Sequence, residues 1–185
     1  GYYYLGSFGV LAEYARVIQD VSLTTGGSPA GGGVGSNTVF TPNSGRQLHH
    51  QAWHVAVSYL LTGETASFRG VNPRQNFDFG KGWGAWELVG RYSEIVLDED
   101  TFKDPTGTTF TGAYANLSES AKRARSWTVG VNWYLNQSVR LALNYGQTTF
   151  TGGAGSGIVP INAAGTNVQD RLDERIFSTR MQLAF

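Results

Sequence analysis

Apolar and polar residues alternate along several stretches of this chain with a period of two residues. One stretch sets three apolar residues at one parity against polar or small residues at the other: Val139, Leu141 and Leu143 against Arg140, Ala142 and Asn144. Successive side chains of a β-strand point to opposite faces. The pattern therefore predicts strands that each have one apolar and one polar face.

The same alternation recurs often enough to define a set of strands. A stub at residues 2–5 is followed by six longer segments, at 8–21, 48–62, 83–97, 125–135, 139–150 and 173–185. Each long segment has the length of about 10 residues that a tilted strand needs to cross hydrocarbon. Trp and Tyr gather toward the strand ends on the apolar side, as membrane interfaces favour. The pattern predicts an all-β, antiparallel transmembrane barrel.

The connections between the predicted strands alternate between short and long. Residues 5–7 and 136–138 read as tight turns, whereas residues 22–47, 98–124 and 151–172 are long and rich in Gly, Thr, Asn and Pro. Transmembrane barrels have short periplasmic turns and long extracellular loops. We therefore expect residues 1–185 to form part of one barrel domain with three long extracellular loops. Residues 62–82 are the irregular connection, because they are long but lie on the short-turn side.

The last strand is the most specific of these segments. Its apolar parity carries residues suited to face lipid: Phe177, Met181, Leu183 and Phe185. A closing barrel strand ends in this way because its apolar face meets lipid and its last aromatic residue lies at the interface. At the other end, the chain begins with Gly1 and starts in the middle of a strand pattern, which predicts that it is part of a longer polypeptide.

Composition agrees with a strand-based membrane protein. The 185 residues carry zero formal net charge and 15% charged residues, and no run approaches the roughly 20 apolar residues of a helical span. The absence of cysteine excludes disulfides and thiolate metal sites. We expect no metal, no cofactor and no nucleic-acid partner.

An ordered series of short motifs resembles the phosphate-selective porin O/P family of bacterial outer-membrane proteins. The matching segments are Gly6-Ser7-Phe8-Gly9, Leu60-Leu61-Thr62-Gly63-Glu64, Gly84-Ala85-Trp86-Glu87-Leu88, Arg91-Tyr92-Ser93, Val131-Asn132-Trp133-Tyr134-Leu135-Asn136 and Thr179-Arg180-Met181-Gln182-Leu183-Ala184-Phe185. The first departs from the family, which usually has Gly-Pro-Phe-Gly there. The resemblance covers nearly the whole chain outside the long loops.

This resemblance implies the fold and the partners of the protein. In the family the barrel has sixteen strands and assembles as a trimer in the outer membrane of Gram-negative bacteria. The chain corresponds to the C-terminal portion, with about six strands and a stub. The apolar residues of the last strand also resemble the signal that the barrel assembly machinery reads during insertion.

Selectivity of a pore comes from charged and hydrogen-bonding groups on the lumen face. By parity, Arg91, Arg140 and Arg180 point into the lumen, with Arg91 and Arg180 near mid-strand, and a planar guanidinium can donate two parallel hydrogen bonds to phosphate. The alternative is that these arginines pair with acids across the lumen face, Glu87 being the expected partner of Arg91. His54 also faces the lumen, where we interpret it as a polar lining residue. It lies about 13 Å along the strand from His50, too far to share a metal.

The sequence contains no nucleophile–base arrangement, so we do not expect an enzyme. We expect a water-filled channel for small hydrophilic solutes, with small anions such as phosphate as the candidate selected class. The alternative is a non-conducting structural or adhesion barrel in the outer membrane, because a fold does not determine a function.

Overall fold

The computed structural model describes residues 1–21, 46–103, 114–155 and 169–184. These residues form seven β-strands and one short 3-10 helix, Glu99–Phe102. The strands are β1 (Tyr2–Leu5), β2 (Phe8–Val21), β3 (Arg46–Leu60), β4 (Ala85–Val96), β5 (Ala121–Tyr134), β6 (Val139–Gly152) and β7 (Glu174–Leu183). In the described part of the chain, no helix has the length and apolarity needed to cross a membrane.

All seven strands belong to one sheet in which each strand pairs with its neighbours in the sequence. The order is β1-β2-β3-β4-β5-β6-β7, every pair is antiparallel, and β1 and β7 form the two edges. This up-and-down order follows from hairpin connections, which place consecutive strands side by side. The predicted all-β antiparallel class and the six strands with a stub are confirmed.

Several strand boundaries differ from the prediction by one to four residues. β3 begins and ends two residues earlier, at Arg46 and Leu60. β5 begins at Ala121 rather than at Arg125, and its pairing with β6 shifts register between Ala121 and Arg123. The basic residues at its start break the apolar alternation, so the pattern did not show that the strand continues there. An irregularity of this kind re-aims the side chains around it.

The register divides the side chains between two faces. We call one the polar face, and one of its register rows contains Leu11, Ala56, Arg91, Thr128 and Gly146. We call the opposite one the aromatic face, and the next row there contains Ala12, Val55, Tyr92, Trp127 and Gln147. The parity predicted for the two faces is thus the parity that the pairing produces.

The two ends of the sheet also differ. At one end, which we call the tight-turn end, Gly6-Ser7 joins β1 to β2 and residues 135–138 join β5 to β6. Gly6 has a φ of 58°, a left-handed conformation that glycine adopts without strain. At the opposite end, the long-connection end, the chain between β2 and β3, β4 and β5, and β6 and β7 is long.

The irregular connection between β3 and β4, residues 61–84, wraps around the tight-turn end. Its first half packs on the polar face, where Ala66 and Val71 join Leu60, Ala85 and Tyr134 in the buried apolar cluster of the described residues. Its second half reaches the aromatic face. This connection therefore covers both faces of the sheet at its tight-turn end.

Aromatic contacts hold the second half in place. The ring of Phe77 lies edge-on to that of Trp133, with 4.9 Å between centroids, and the Trp133 indole N–H donates to the carbonyl of Trp83 over 2.7 Å. Trp86 stacks on the same Trp133 at 5.0 Å. Phe79 and Trp83 remain 99% and 76% exposed, so aromatic surface projects outward at this end.

Candidate functional site

The polar face has an arginine near its centre with open space around it. Arg91 in β4 lies directly opposite Ala56 of β3 and Thr128 of β5, and Gly146 follows Thr128 in the same row. These neighbours are small, so the long side chain of Arg91 has no bulky group beside it. Arg91 lines two adjoining concavities of about 360 and 370 Å3 on this face.

Arg91 makes no hydrogen bond or ion pair with any residue that the structure describes. Its side chain is exposed on the surface of the sheet. A guanidinium carries five donor N–H groups and stays charged at any pH at which a protein folds. All of these donors are therefore open to solvent or to a solute.

Glu87 does not pair with Arg91, contrary to the expectation from sequence. The two residues are on the same strand and face, but four residues of a strand span about 13 Å, which no ion pair can bridge. Instead, the Glu87 carboxylate accepts hydrogen bonds of 2.8 Å from the amide of Asn132 and 2.8 Å from the hydroxyl of Tyr134. With 8% of its surface exposed, Glu87 is a buried structural acceptor.

Arg140 lies at the tight-turn end and is held by its neighbours. It donates a hydrogen bond of 2.6 Å to the side-chain oxygen of Gln182 and a longer one of 3.4 Å to the hydroxyl of Tyr134. Its guanidinium carbon also lies 5.6 Å from the centre of the Tyr134 ring. The side chain is fixed on the polar face, as its parity predicted.

Arg180 faces the same side from the last strand. It lies opposite Ala142, whose row continues to Asn132 and Glu87. This row is nearer to the tight-turn end than the row of Arg91, and Arg180 is the seventh of the ten residues of β7. No described residue forms a hydrogen bond or ion pair with it, and the residue is exposed.

His54 lies on the polar face at the other side of Arg91, toward the long-connection end. Its ring nitrogen Nδ1 is 3.9 Å from the carboxylate of Glu13, which is its direct partner in the register of β2 and β3. Within the described ranges, no group of three or more His, Asp or Glu side chains could hold a metal ion.

Glu64 anchors the first half of the 61–84 connection. It is 5% exposed, accepts hydrogen bonds from the Thr62 hydroxyl and from the backbone N–H of Arg74, and its carbonyl accepts from the Ser7 hydroxyl over 2.8 Å. Burial raises the pKa of this carboxyl, but the hydrogen bonds from Thr62 and Arg74 outweigh burial and hold the pKa below its usual value. Because the charged form is the bonded form, ionisation of Glu64 stabilises the docked connection.

A basic groove lies beneath this connection. Arg69 and Arg140 both line it, together with the side chain of Gln182 and the turn residues Asn136 and Ser138. Arg69 could not be placed here from the sequence, because the 61–84 connection has no alternating pattern that would assign it to a face. The available signal that this segment packs inward was a pair of apolar residues in a stretch with Gly and Pro, namely Ala66 and Val71.

The aromatic face carries the residues predicted to meet lipid. Phe177, Met181 and Leu183 are 69%, 64% and 53% exposed. Phe177 lies opposite Tyr145, whose ring is 5.6 Å from that of Trp127. Further along, Trp53 and Tyr92 lie 5.4 Å apart. The sheet thus presents an exposed apolar band with aromatic rings, while Phe185 lies outside the described residues.

Among the described residues, the sheet has one face with polar residues held by their neighbours and with two arginines, Arg91 and Arg180, that no described residue pairs. The other face carries exposed apolar side chains. One polar and one apolar face are what a sheet that separates water from hydrocarbon requires.

Comparison with known proteins agrees with this description. The model of the family described as phosphate-selective porin O and P matches residues 30–185. Porin O from Pseudomonas aeruginosa is 28% identical over 110 residues, a region that covers 56% of this chain and 22% of that protein. The matched region spans about a fifth of the length of this curated relative.

Proposed function

This chain belongs to the phosphate-selective porin O and P family of the bacterial outer membrane, and we propose from that premise that it lines a water-filled diffusion channel. In this proposal the polar face is the channel wall and the aromatic face meets lipid. Small hydrophilic solutes pass, and phosphate-type anions are preferred. Porins are channels and not enzymes, which fits a polar face without a reacting group.

The observation that carries the proposal is the unpaired Arg91. A positive charge on a channel wall raises the local concentration of anions and lowers that of cations. The small neighbours Ala56 and Thr128 leave its guanidinium free to contact a solute. Because the guanidinium is a planar fork, it can donate two parallel hydrogen bonds to a phosphate oxygen pair.

The other charged residues of the polar face contribute to different extents to the charge of the channel wall. Arg180 adds a second unpaired charge nearer the tight-turn end, and Arg140 adds a third that is held by Gln182. Glu87 does not contact the arginines of this face, because its carboxylate accepts hydrogen bonds from Asn132 and Tyr134. His54 and Glu13 contribute a polar pair without a net preference for anions.

The proposal extends to the assembly of the channel. An open sheet with unpaired edges is not stable in hydrocarbon, so β1 and β7 need partner strands to complete a barrel. We infer that this barrel has sixteen strands, forms a homotrimer, and has the connections between β2 and β3, β4 and β5, and β6 and β7 as its extracellular loops. Phe177, Met181, Leu183 and Phe185 are then the residues that the barrel assembly machinery recognises.

One observation favours the alternative of a non-conducting barrel. The 61–84 connection covers part of the polar face at the tight-turn end, with Ala66 and Val71 buried against Tyr134. A segment in this position narrows the passage. Whether it leaves an aqueous path distinguishes a channel from a sealed structural or adhesion barrel.

Planar bilayer recording tests the proposal. The complete protein, purified in detergent and added to a bilayer in potassium chloride, should give stepwise conductance increases of uniform size. The control is protein that has been heat-denatured before addition. A folded protein that inserts into the bilayer and gives no conductance steps would establish the sealed barrel instead.

A further inference from the structure

Two arginines share one carboxylate on the aromatic face near the long-connection end. Nε of Arg125 lies 3.0 Å from Oε1 of Glu94, and Nε of Arg123 lies 3.3 Å from the same oxygen. The other carboxylate oxygen accepts a hydrogen bond of 3.2 Å from the Trp53 indole. Arg125 donates a hydrogen bond to Glu94, whereas the buried Nε of Arg123 makes only a charge contact with it and no hydrogen bond with a described residue. Glu94 therefore keeps two guanidinium groups side by side.

The cluster keeps an excess of positive charge. Two arginines stand against one carboxylate, and the arginine side chains are 38% and 48% exposed while that of Glu94 is 15% exposed. Arg16, in the register row of Arg123, contacts a ring nitrogen of His49 and not an acid. The exposed part of the cluster is thus cationic, and the acid lies beneath it.

The position of the cluster relative to the aromatic rings sets its depth. Tyr92 and Trp127 belong to the exposed aromatic band, and Glu94 and Arg125 lie one side-chain repeat further toward the long-connection end. This repeat is about 7 Å of strand. Interfacial aromatic rings lie at the boundary of the hydrocarbon, so charges just beyond them lie among the lipid headgroups.

We propose that Arg123 and Arg125 form a binding site for the phosphate groups of an outer-leaflet glycolipid. Guanidinium pairs bind phosphate in a bidentate manner, and a fixed pair loses little side-chain entropy on binding. The assignment to the outer leaflet rests on the proposed extracellular side of the long connections. The channel does not depend on it, because the cluster is on the face opposite to Arg91.

A contact with another subunit of the same protein explains the cluster less well. Such a contact would remove two arginines and a carboxylate from water, which costs more than their mutual attraction returns unless each charge gains a partner. A headgroup phosphate supplies the missing negative charge and leaves the cluster partly hydrated. The charge balance therefore favours the lipid.

The test uses the complete protein, purified in a neutral detergent, and lipid A with two phosphate groups as the probe. Native mass spectrometry, or the thermal shift during a lipid titration, measures how much lipid A the protein retains. We expect the Arg123→Gln/Arg125→Gln variant to bind more weakly, by about fivefold for each arginine removed. Arg171→Gln is the matched control, because Arg171 also pairs with a glutamate, Glu174, outside the cluster.

Three results would overturn the site. In the first, the double variant binds bisphosphorylated lipid A with the same affinity as the unchanged protein does. In the second, the unchanged protein binds dephosphorylated lipid A or phosphatidylglycerol as tightly as it binds bisphosphorylated lipid A. In the third, the double variant loses its oligomeric state with no change in lipid binding. If the double variant does not fold, Arg125→Gln and Arg125→Lys decide the question. The lysine variant should bind more tightly than the glutamine variant and more weakly than the unchanged protein, because it keeps the charge and loses the bidentate fork.

Discussion

The hydroxyl of Tyr134 donates a hydrogen bond of 2.8 Å to the buried carboxylate of Glu87. This contact ties β5 to β4 across the polar face and occupies the acid that was expected beside Arg91. As a result, Glu87 contributes to the stability of the sheet, and the guanidinium of Arg91 remains available to a solute. Stability and selectivity are therefore predicted to depend on different residues.

The first prediction concerns this hydrogen bond. Tyr134→Phe removes the donor and leaves a buried carboxylate oxygen with one partner, Asn132, which should destabilise the protein by about 1–3 kcal/mol. Tyr145→Phe is the control, because Tyr145 lies partly exposed on the aromatic face, and it should change stability by less than about 0.5 kcal/mol. Urea titration of refolding into lipid vesicles measures both, and equal effects of the two substitutions would contradict a structural role for Glu87.

The second prediction concerns the pH dependence of the 61–84 connection. The pKa of Glu64 is held below its usual value, so its ionised form stabilises docking above the usual glutamate range, and this stabilisation disappears as the pH falls through the lowered pKa. Backbone amides of residues 66–72 should therefore exchange hydrogen faster in acid, after correction for intrinsic rates. Glu64→Gln should flatten this dependence, whereas an unchanged acid response in that variant would assign the effect to another group.

The third prediction concerns the two faces. Leu143 lies on the aromatic face, and Leu143→Arg should destabilise the membrane-inserted protein by about 2–4 kcal/mol if the residue lies at mid-bilayer depth, and by less nearer an interface. Ser178→Arg places the same charge on the polar face of the adjacent strand and should cost little. Both variants are folded into lipid vesicles, and the folded fraction of each is measured by the shift in gel mobility on heating. A larger cost for the serine substitution would reverse the assignment of the faces.

Much of this arrangement could be predicted from the sequence, because period-two alternation both defines a strand and assigns its faces. The parity that placed Arg91, Arg140 and Arg180 together is the parity that the pairing of β3 to β7 produces. Alternation does not give the register between strands, so it could not show that Asn132 and Tyr134 of β5 are the partners of Glu87.

The parts that could not be predicted lack a repeating pattern. The 61–84 connection is held by individual contacts, such as that of Glu64 with Thr62 and that of Phe77 with Trp133. Contacts of this kind have no sequence period from which they could be predicted. The start of β5 was missed for a related reason. Its residues Arg123 and Arg125 both contact Glu94 on a neighbouring strand, a proximity that only the register reveals.

The fourth prediction concerns the arginines of the polar face. Arg91→Gln and Arg180→Gln should each lower the permeability ratio of phosphate to potassium, by up to about fivefold for a solvent-exposed charge interaction. Arg125→Gln is the matched control, because it removes the same charge from the opposite face and should leave the ratio unchanged. Unaltered ratios in both polar-face variants would mean that these arginines do not contact the solute.

The central claim is that the polar face lines an anion-preferring channel, and the reversal potential of the unmodified protein tests it most directly. A planar bilayer with potassium phosphate at tenfold different concentrations on its two sides gives the sign of the selectivity. The account predicts a reversal potential close to the equilibrium potential of the phosphate anions. A reversal potential near that of potassium, or the absence of current through inserted protein, would contradict it.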